Sequence, residues 1–162
     1  MTVTSARYSG ASGETDDGNR KMSVYDRTRV RGQDQIRDVV ELRLPAESAY
    51  LSVLRTATAG LAARLDFTLD EIEDLRIAVD EACALLLPDA RADFPLVCRF
   101  TLETDCLEVT VEATTNAGRT PGRDSFAWTV LTALAGEVDA SAAADGTVTL
   151  TLRKHRGGIA EA

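Results

Sequence analysis

The stretch "TLDEIEDLRIAVDEACALLLP", residues 68–88, decides the fold of this chain. Thr68 followed by Glu71 is a capping box, in which each side chain accepts a hydrogen bond from the other residue's backbone N–H. Apolar residues then recur at steps of three and four, which predicts an amphipathic helix with one buried face. That stripe comprises Ile72, Leu75, Val79, Ala82, Cys83 and Leu86. Pro88 ends the helix, because proline has no N–H to donate.

Two adjacent acids, Asp80 and Glu81, lie far from the start of this helix, where the helix dipole gives carboxylates no advantage. On a helix that turns about 100° per residue, Glu81 shares a narrow face with Asp74 and Leu85. This face borders either solvent or a pocket. Glu81 is therefore either part of the wet side of the helix or a general base beside a bound substrate, and the spacing leaves both alternatives open.

The flanking sequence predicts five strands and two more helices. Alternating apolar residues predict strands at residues 39–44, 96–103, 107–114, 138–143 and 147–152. Residues 46–65 show helical spacing, and a third helix follows an N-cap at Asp124 or Ser125, with Phe126 and Trp128 expected in the core. Asp145-Gly146 favours a tight turn in the last hairpin.

The order of these elements predicts an α+β fold. The order is strand, two helices, two strands, a helix and two strands, without the regular alternation of a doubly wound parallel sheet. We expect a two-layer α/β sandwich in which helices pack on one face of a mixed, mostly antiparallel sheet.

Composition predicts one acidic domain between two tails. Residues 1–37 are polar and lack an apolar stripe, so we expect a disordered N-terminal tail, a domain at 38–154 and a flexible tail at 155–162. Residues 38–162 hold 21 acidic and 11 basic residues. Such a surface repels phosphate backbones and favours basic protein partners, so we expect no binding to nucleic acid.

Several chemistries are excluded by what the chain lacks. His155 is the only histidine and falls in the predicted C-terminal tail, which excludes a catalytic triad and a histidine-based metal site. There is no P-loop motif. The three cysteines match no zinc spacing, so we expect buried thiols and no metal. No apolar run approaches the about 20 residues of a membrane span, which predicts a cytoplasmic protein.

Within residues 39–154, "DLRIAVDEACALLL" at 74–87 resembles the first nucleotide motif of the RsbW and SpoIIAB family of anti-sigma factors and serine-protein kinases. This family belongs to the GHKL ATPases and has the histidine-kinase-like ATPase fold. Similarity extends to "ELRLPAESAYLSVLR" at 41–55, "SFAWTVLTALAGEVD" at 125–139 and "DGTVTLTLRK" at 145–154.

The resemblance implies roles for individual residues. The family's catalytic Glu falls on Glu81 and its magnesium-binding Asn on Leu85, which cannot ligate a metal. The adenine-binding Asp, expected near Ala113, is absent. Of the later nucleotide elements only Gly146 and Thr147 remain. The family binds ATP and Mg²⁺, but these departures predict that no cofactor is held here.

The resemblance also implies partners. We expect an anti-sigma factor that sequesters an RNA polymerase sigma factor through Tyr50 and Arg55, that is released by an anti-anti-sigma (STAS) protein and that forms a homodimer. The alternative is an active protein-serine kinase that phosphorylates the anti-anti-sigma protein. A third hypothesis is a scaffold module without a role in transcription.

Overall fold

The computed structural model describes residues 2–7 and 37–157 of the chain. Its strands are β1 (Thr2–Arg7), β2 (Asp38–Pro45), β3 (Pro95–Leu102), β4 (Cys106–Thr114), β5 (Glu137–Ala142) and β6 (Thr147–His155). Its α-helices are α1 (Leu51–Arg64), α2 (Leu69–Leu86) and α3 (Phe126–Ala135). Within these described residues, no helix is both long enough and apolar enough to cross a bilayer.

The strands form a single sheet in the order β1-β2-β3-β4-β6-β5. Every pairing between neighbours is antiparallel, so the predicted α+β fold is confirmed and the described sheet is antiparallel throughout rather than mixed. Two hairpins turn tightly: the N–H of Glu103 donates to the carbonyl of Cys106 between β3 and β4, and Gly146 takes φ +90° between β5 and β6.

The core lies between one face of the sheet and the helices. Every second residue of β3, β4 and β6 is buried, as expected for a sheet with one covered face. Phe100 and Leu150 are among the largest fully buried side chains. The uncovered face carries charged residues that pair across strands, such as Arg99 with Glu41 at 2.7 Å and Arg153 with Glu108 at 3.1 Å.

Helix α2 begins and ends where the sequence predicts. Both hydrogen bonds of the capping box between Thr68 and Glu71 are present, which confirms it. A 3₁₀ turn at Leu87–Asp89, with Pro88 inside it, follows the helix. The predicted helix at residues 46–65 is shorter, because a 3₁₀ turn at Ser48–Tyr50 precedes α1.

The predicted tails differ from the structure at both ends of the domain. Residues 2–7, placed in a disordered tail, form β1 and pair with β2. Residues 8–36 of that tail lie outside the described residues. His155, placed in the flexible tail, is the last residue of β6, because the following Arg156 and Gly157 bind back to Leu65 and Glu71.

The prediction that Phe126 belongs to the core is wrong, whereas Trp128 is buried. Phe126 is 83% exposed, and Trp128 only 9%. Phe126 is the first residue of α3 after the N-cap Ser125, and Trp128 is about 200° further round the helix, on the side that packs on α2 and the sheet. The guanidinium of Arg123 covers the outer face of the Trp128 ring at 4.9 Å.

Candidate functional site

The adjacent acids Asp80 and Glu81 lie on different sides of α2. The carboxylate of Asp80 accepts a hydrogen bond from Nε of Arg55 on α1, at 2.5 Å. The ion pair is partly buried, with 43% of the Arg55 side chain and 28% of the Asp80 side chain exposed. Asp80 therefore ties α2 to α1, which the sequence did not reveal because the two residues are 25 positions apart.

The face of α2 that carries Glu81 is turned towards α3. Asp74, two turns earlier on this face, accepts from Nζ of Lys154 at 3.2 Å, and the same Nζ donates to the carbonyl of Leu134 in α3 at 2.7 Å. Glu81 is half-buried. Among the described residues, Glu81 has no hydrogen-bond partner and no ion-pair partner. Its carboxylate is therefore unengaged, as either a solvated acid or a general base requires.

Leu85 stands at the position of the family's magnesium ligand, and Ala113 lies near the expected position of the adenine-binding Asp. Leu85, one turn after Glu81, packs against the hydrophobic core. Ala113 lies opposite Val148 in the β4–β6 pairing, and both are buried. Neither side chain can bind a metal or a base edge, so these residues do not fit a magnesium nucleotide. In the described part of the chain, no cluster of three His, Cys, Asp or Glu residues could hold a metal ion.

Asp89, which the sequence analysis missed, ties the loop after β4 to the end of α2. Its carbonyl accepts from the backbone N–H and the side-chain amide of Asn116, at 3.0 and 3.1 Å. Its carboxylate accepts from the N–H of Ala117 at 2.8 Å. Pro88-Asp89 directly after the helix was the available signal, since Asp in such turns bonds to backbone amides. The loop is therefore held against α2 by the protein itself.

Gly146 and Thr147, predicted to contact a cofactor, lie in the β5–β6 turn and at the start of β6. Gly146 borders a surface groove of about 530 Å³ between the loop after β4 and the β5–β6 turn. The N–H of Thr147 donates to the carboxylate of Asp145 at 2.9 Å. Neither Glu81 nor Leu85 borders this groove. Of the predicted nucleotide residues, Gly146 alone borders this groove.

The same groove depends on two glycines that face each other. Gly118 and Gly146 both have positive φ, +57° and +90°. A Cβ on Gly118 would lie 3.3 Å from the Cα of Gly146, and a Cβ on Gly146 would lie 3.0 Å from the carbonyl oxygen of Thr115. The two loops therefore approach backbone to backbone, and glycine adopts this spacing and the positive φ without strain.

The predicted partner residues lie at the start of α1. Tyr50 ends the 3₁₀ turn before α1 and is 37% exposed, and Arg55 follows at its first turns. Ile77 on α2, close in sequence to Asp80, is an exposed apolar residue that the sequence analysis did not single out. In the sequence, the position of Ile77 off the apolar stripe of α2 indicated that its side chain would be exposed. These residues form a mixed apolar and charged face on α1 and α2, which we call the α1–α2 face.

Known proteins resemble this chain in sequence and fold. No protein-family model matches it. It is 40% identical over 77 residues to the serine-protein kinase RsbW of Bacillus velezensis, which covers 46% of this chain and 48% of that protein. It is 37% identical over 113 residues to the anti-sigma-F factor RsbW of Mycobacterium tuberculosis, which covers 67% of this chain and 65% of that protein.

A solved structure supports the same assignment of fold. The crystal structure of the RsbU and RsbW domains of Rv1364c from Mycobacterium tuberculosis superposes with a TM-score of 0.59, at 18% identity, over 73% of this chain and 32% of that chain. The fold thus defines a class, an antiparallel sheet with three helices on one face. With the sequence matches, it confirms the predicted resemblance to the RsbW type. The chain spans about half the length of the RsbW of Bacillus velezensis.

Proposed function

We propose that the chain is an anti-sigma factor that binds an RNA polymerase sigma factor through the α1–α2 face and binds ATP weakly or not at all. The relative from Mycobacterium tuberculosis is named an anti-sigma-F factor. Release by an anti-anti-sigma (STAS) protein and a homodimeric state are part of the proposal. The main support for weak ATP binding is that Leu85 and Ala113 are apolar where the motif has a magnesium ligand and a base partner.

The energetic cost of these two replacements supports partner binding over catalysis. The loss of a polar partner for a buried group costs about 1–3 kcal/mol, and the loss of a magnesium ligand also removes charge compensation beside the phosphates. A combined loss of about 3 kcal/mol weakens nucleotide affinity by more than about a hundredfold.

Titration calorimetry with Mg-ATP tests the first half of the proposal. We expect a dissociation constant above about 100 µM, which is about a hundredfold weaker than low-micromolar binding. A Mycobacterium or Bacillus relative that keeps the Asn of the motif serves as the positive control. Saturable low-micromolar binding by this chain would contradict weak ATP binding.

The α1–α2 face is tested by the substitution Arg55→Glu. It reverses the charge of a half-exposed residue and places it beside Asp80, so we expect co-purification with the cognate sigma factor to fall at least tenfold. Arg64→Glu makes the same charge change at the exposed far end of α1 and is the matched control. Equal binding by the Arg55 and Arg64 variants would discard this face.

An active serine kinase is the second candidate, and Glu81 favours it. The residue is retained at the position of the family's general base, half-buried and unengaged, and the relative from Bacillus velezensis is named a serine-protein kinase. A kinase would transfer labelled phosphate from ATP to a serine of a STAS protein, and Glu81→Gln would abolish this transfer. An anti-sigma factor without kinase activity would bind the sigma factor equally well with Glu or Gln at this position.

A further inference from the structure

Asp80 lies between α1 and α2, and only one of its two carboxylate oxygens has a partner. Oδ2 accepts a hydrogen bond from Nε of Arg55 at 2.5 Å. Oδ1 is buried, and no described residue donates a hydrogen bond to it. Because a carboxylate that is shielded from water on one side needs a cation on the other, the Asp80 charge depends on Arg55. The positions of the two side chains are therefore coupled.

This hydrogen bond leaves the outer part of the Arg55 guanidinium free to bind. It engages Nε alone, and Nη1 and Nη2 donate to no described residue. A guanidinium is a planar fork of N–H donors, so it can be fixed through Nε while its Nη groups bind other acceptors. With 43% of its side chain exposed, Arg55 thus has one anchored side and one open side.

The anchored side affects binding because a long, exposed side chain loses rotamer entropy when a partner immobilises it. Asp80 restricts Arg55 in the free protein, so less entropy remains to be lost in a complex. The packing of α1 on the core has other sources, since Leu54 and Ala62 of α1 are fully buried in the hydrophobic core. Ile77, which is 47% exposed, lies three residues before Asp80 and hence on the same side of α2.

We propose that Asp80 is a positioning residue for partner binding, which holds the Arg55 side chain in the conformation that the α1–α2 face uses in its complex. This inference rests on the proposed function and adds to it a residue that acts through Arg55. An ion pair that served only to tie α1 to α2 would affect the stability of the domain but not the affinity for a partner.

The anchorage of Arg55 is tested in the full-length protein without any partner. The Nε–H of Arg55 gives a signal in proton–nitrogen correlation NMR spectra, and its absence from the spectrum of Arg55→Lys assigns it. In Asp80→Ala this proton should exchange with water about tenfold faster than in the parent, because a hydrogen bond to a charged acceptor is lost. Equal exchange rates in the two proteins would overturn the proposal, since Asp80 would then not hold Arg55.

The effect on binding is tested by a double-mutant cycle, with titration calorimetry against the sigma factor that co-purifies with the parent chain. Asp80→Ala should weaken binding by about two- to tenfold, which corresponds to the entropy of ordering one long side chain. In the Arg55→Ala background it should have no effect, because no guanidinium remains to be positioned. Asp80→Asn keeps an acceptor and should bind with intermediate affinity. Asp139→Ala, which removes the carboxylate of an exposed arginine pair on β5, is the matched control and should bind like the parent.

The outcomes of the cycle separate this inference from the proposed function. Equal weakening by Asp80→Ala with and without Arg55 would overturn the inference alone, since Asp80 would then act by itself. Unchanged or tighter binding by Asp80→Ala, together with weaker binding by Arg55→Ala, would also overturn only the positioning role. Parent-like binding by Arg55→Ala, or the absence of a co-purifying sigma factor, would contradict both proposals. Circular dichroism verifies that each variant is folded.

Discussion

At the scale of single residues, the adjacent carboxylates of Asp80 and Glu81 have different surroundings because their positions are about 100° apart around the helix axis. Asp80 faces α1 and is paired with Arg55, whereas Glu81 lies on the side of α3 and is unengaged. The sequence identified Glu81 through a family motif. It could not identify the partner of Asp80, because the Arg55–Asp80 contact arises only when α1 packs on α2.

Lys154 is a second residue whose contacts arise from packing. It is 8% exposed and its ammonium group joins Asp74 of α2 to the last turn of α3. Lys154→Met leaves the carbonyl of Leu134 and the Asp74 carboxylate without this donor, so we expect the free energy of unfolding to fall by about 1–3 kcal/mol in urea denaturation.

The neighbouring residue provides a matched control for this loss. Arg153 lies on the opposite face of β6, is 36% exposed and pairs with Glu108 on the surface. Arg153→Met should cost less than about 1 kcal/mol, because exposed ion pairs contribute little. Equal losses for the two variants would show that the Lys154 contacts do not stabilise the packing of α3 on α2.

At the scale of elements, the start of α2 carries a carboxylate with two structural roles. Burial alone raises the pKa of Glu71, but hydrogen bonds from the N–H groups of Thr68 and Gly157 outweigh it, so the pKa lies below its usual value of 4.5. One side chain thus caps α2 and also holds the chain after β6.

This lowered pKa gives a pH-dependent contribution to stability. The stabilisation is complete above the unfolded-state pKa and is lost as the pH falls through the folded-state pKa. We expect Glu71→Gln to unfold more easily than the parent at pH 7, with the difference shrinking as the pH falls from about 5 to about 3. Denaturation in urea across that range measures it. A difference that stays constant over that pH range would contradict this prediction.

The elements themselves were largely predictable, whereas some of their ends were not. Alternation in β3 and β4, the stripe of α2 and its capping box are local patterns, and the structure confirms them. β1 was missed because Thr2–Arg7 contains only two apolar residues, Val3 and Ala6, and these do not alternate. Phe126 was misplaced because the first residue of a helix can point away from the face that its later turns bury.

The candidate site was less predictable than the fold. The motif placed Glu81 and Leu85 on α2, where the structure has them. The sequence did not reveal that Asp89 holds the loop after β4, beside the groove that Gly146 borders, through contacts between residues 27 and 28 positions apart. Spacing along the chain carries no information about such a contact.

At the scale of the whole molecule, all three thiols are buried, Cys83 and Cys98 in the hydrophobic core and Cys106 outside that cluster. Burial raises the pKa of Cys83 to about 12, with nearby Asp80 adding to the effect. Burial also raises the pKa of Cys98 and of Cys106. Because the thiolate is the reactive form, none of them should react while the domain is folded.

Thiol labelling therefore measures unfolding of the entire domain. With Ellman's reagent at pH 8 we expect no reaction of the native protein within minutes and reaction of three thiols per chain in urea. Ala63→Cys, at an exposed position of α1, provides a control that reacts at once. Rapid labelling of the unmodified native chain would show that the core opens locally without global unfolding.

The facing glycines of the surface groove have a consequence for how this protein can evolve. Because Gly118 and Gly146 meet through their backbones, a Cβ on Gly118 would lie 3.3 Å from the other loop and a Cβ on Gly146 3.0 Å, so either substitution would require a loop to shift. Mutational drift in one loop is limited by the shape of the other, although 28 positions separate them. A substitution at either glycine therefore affects both loops.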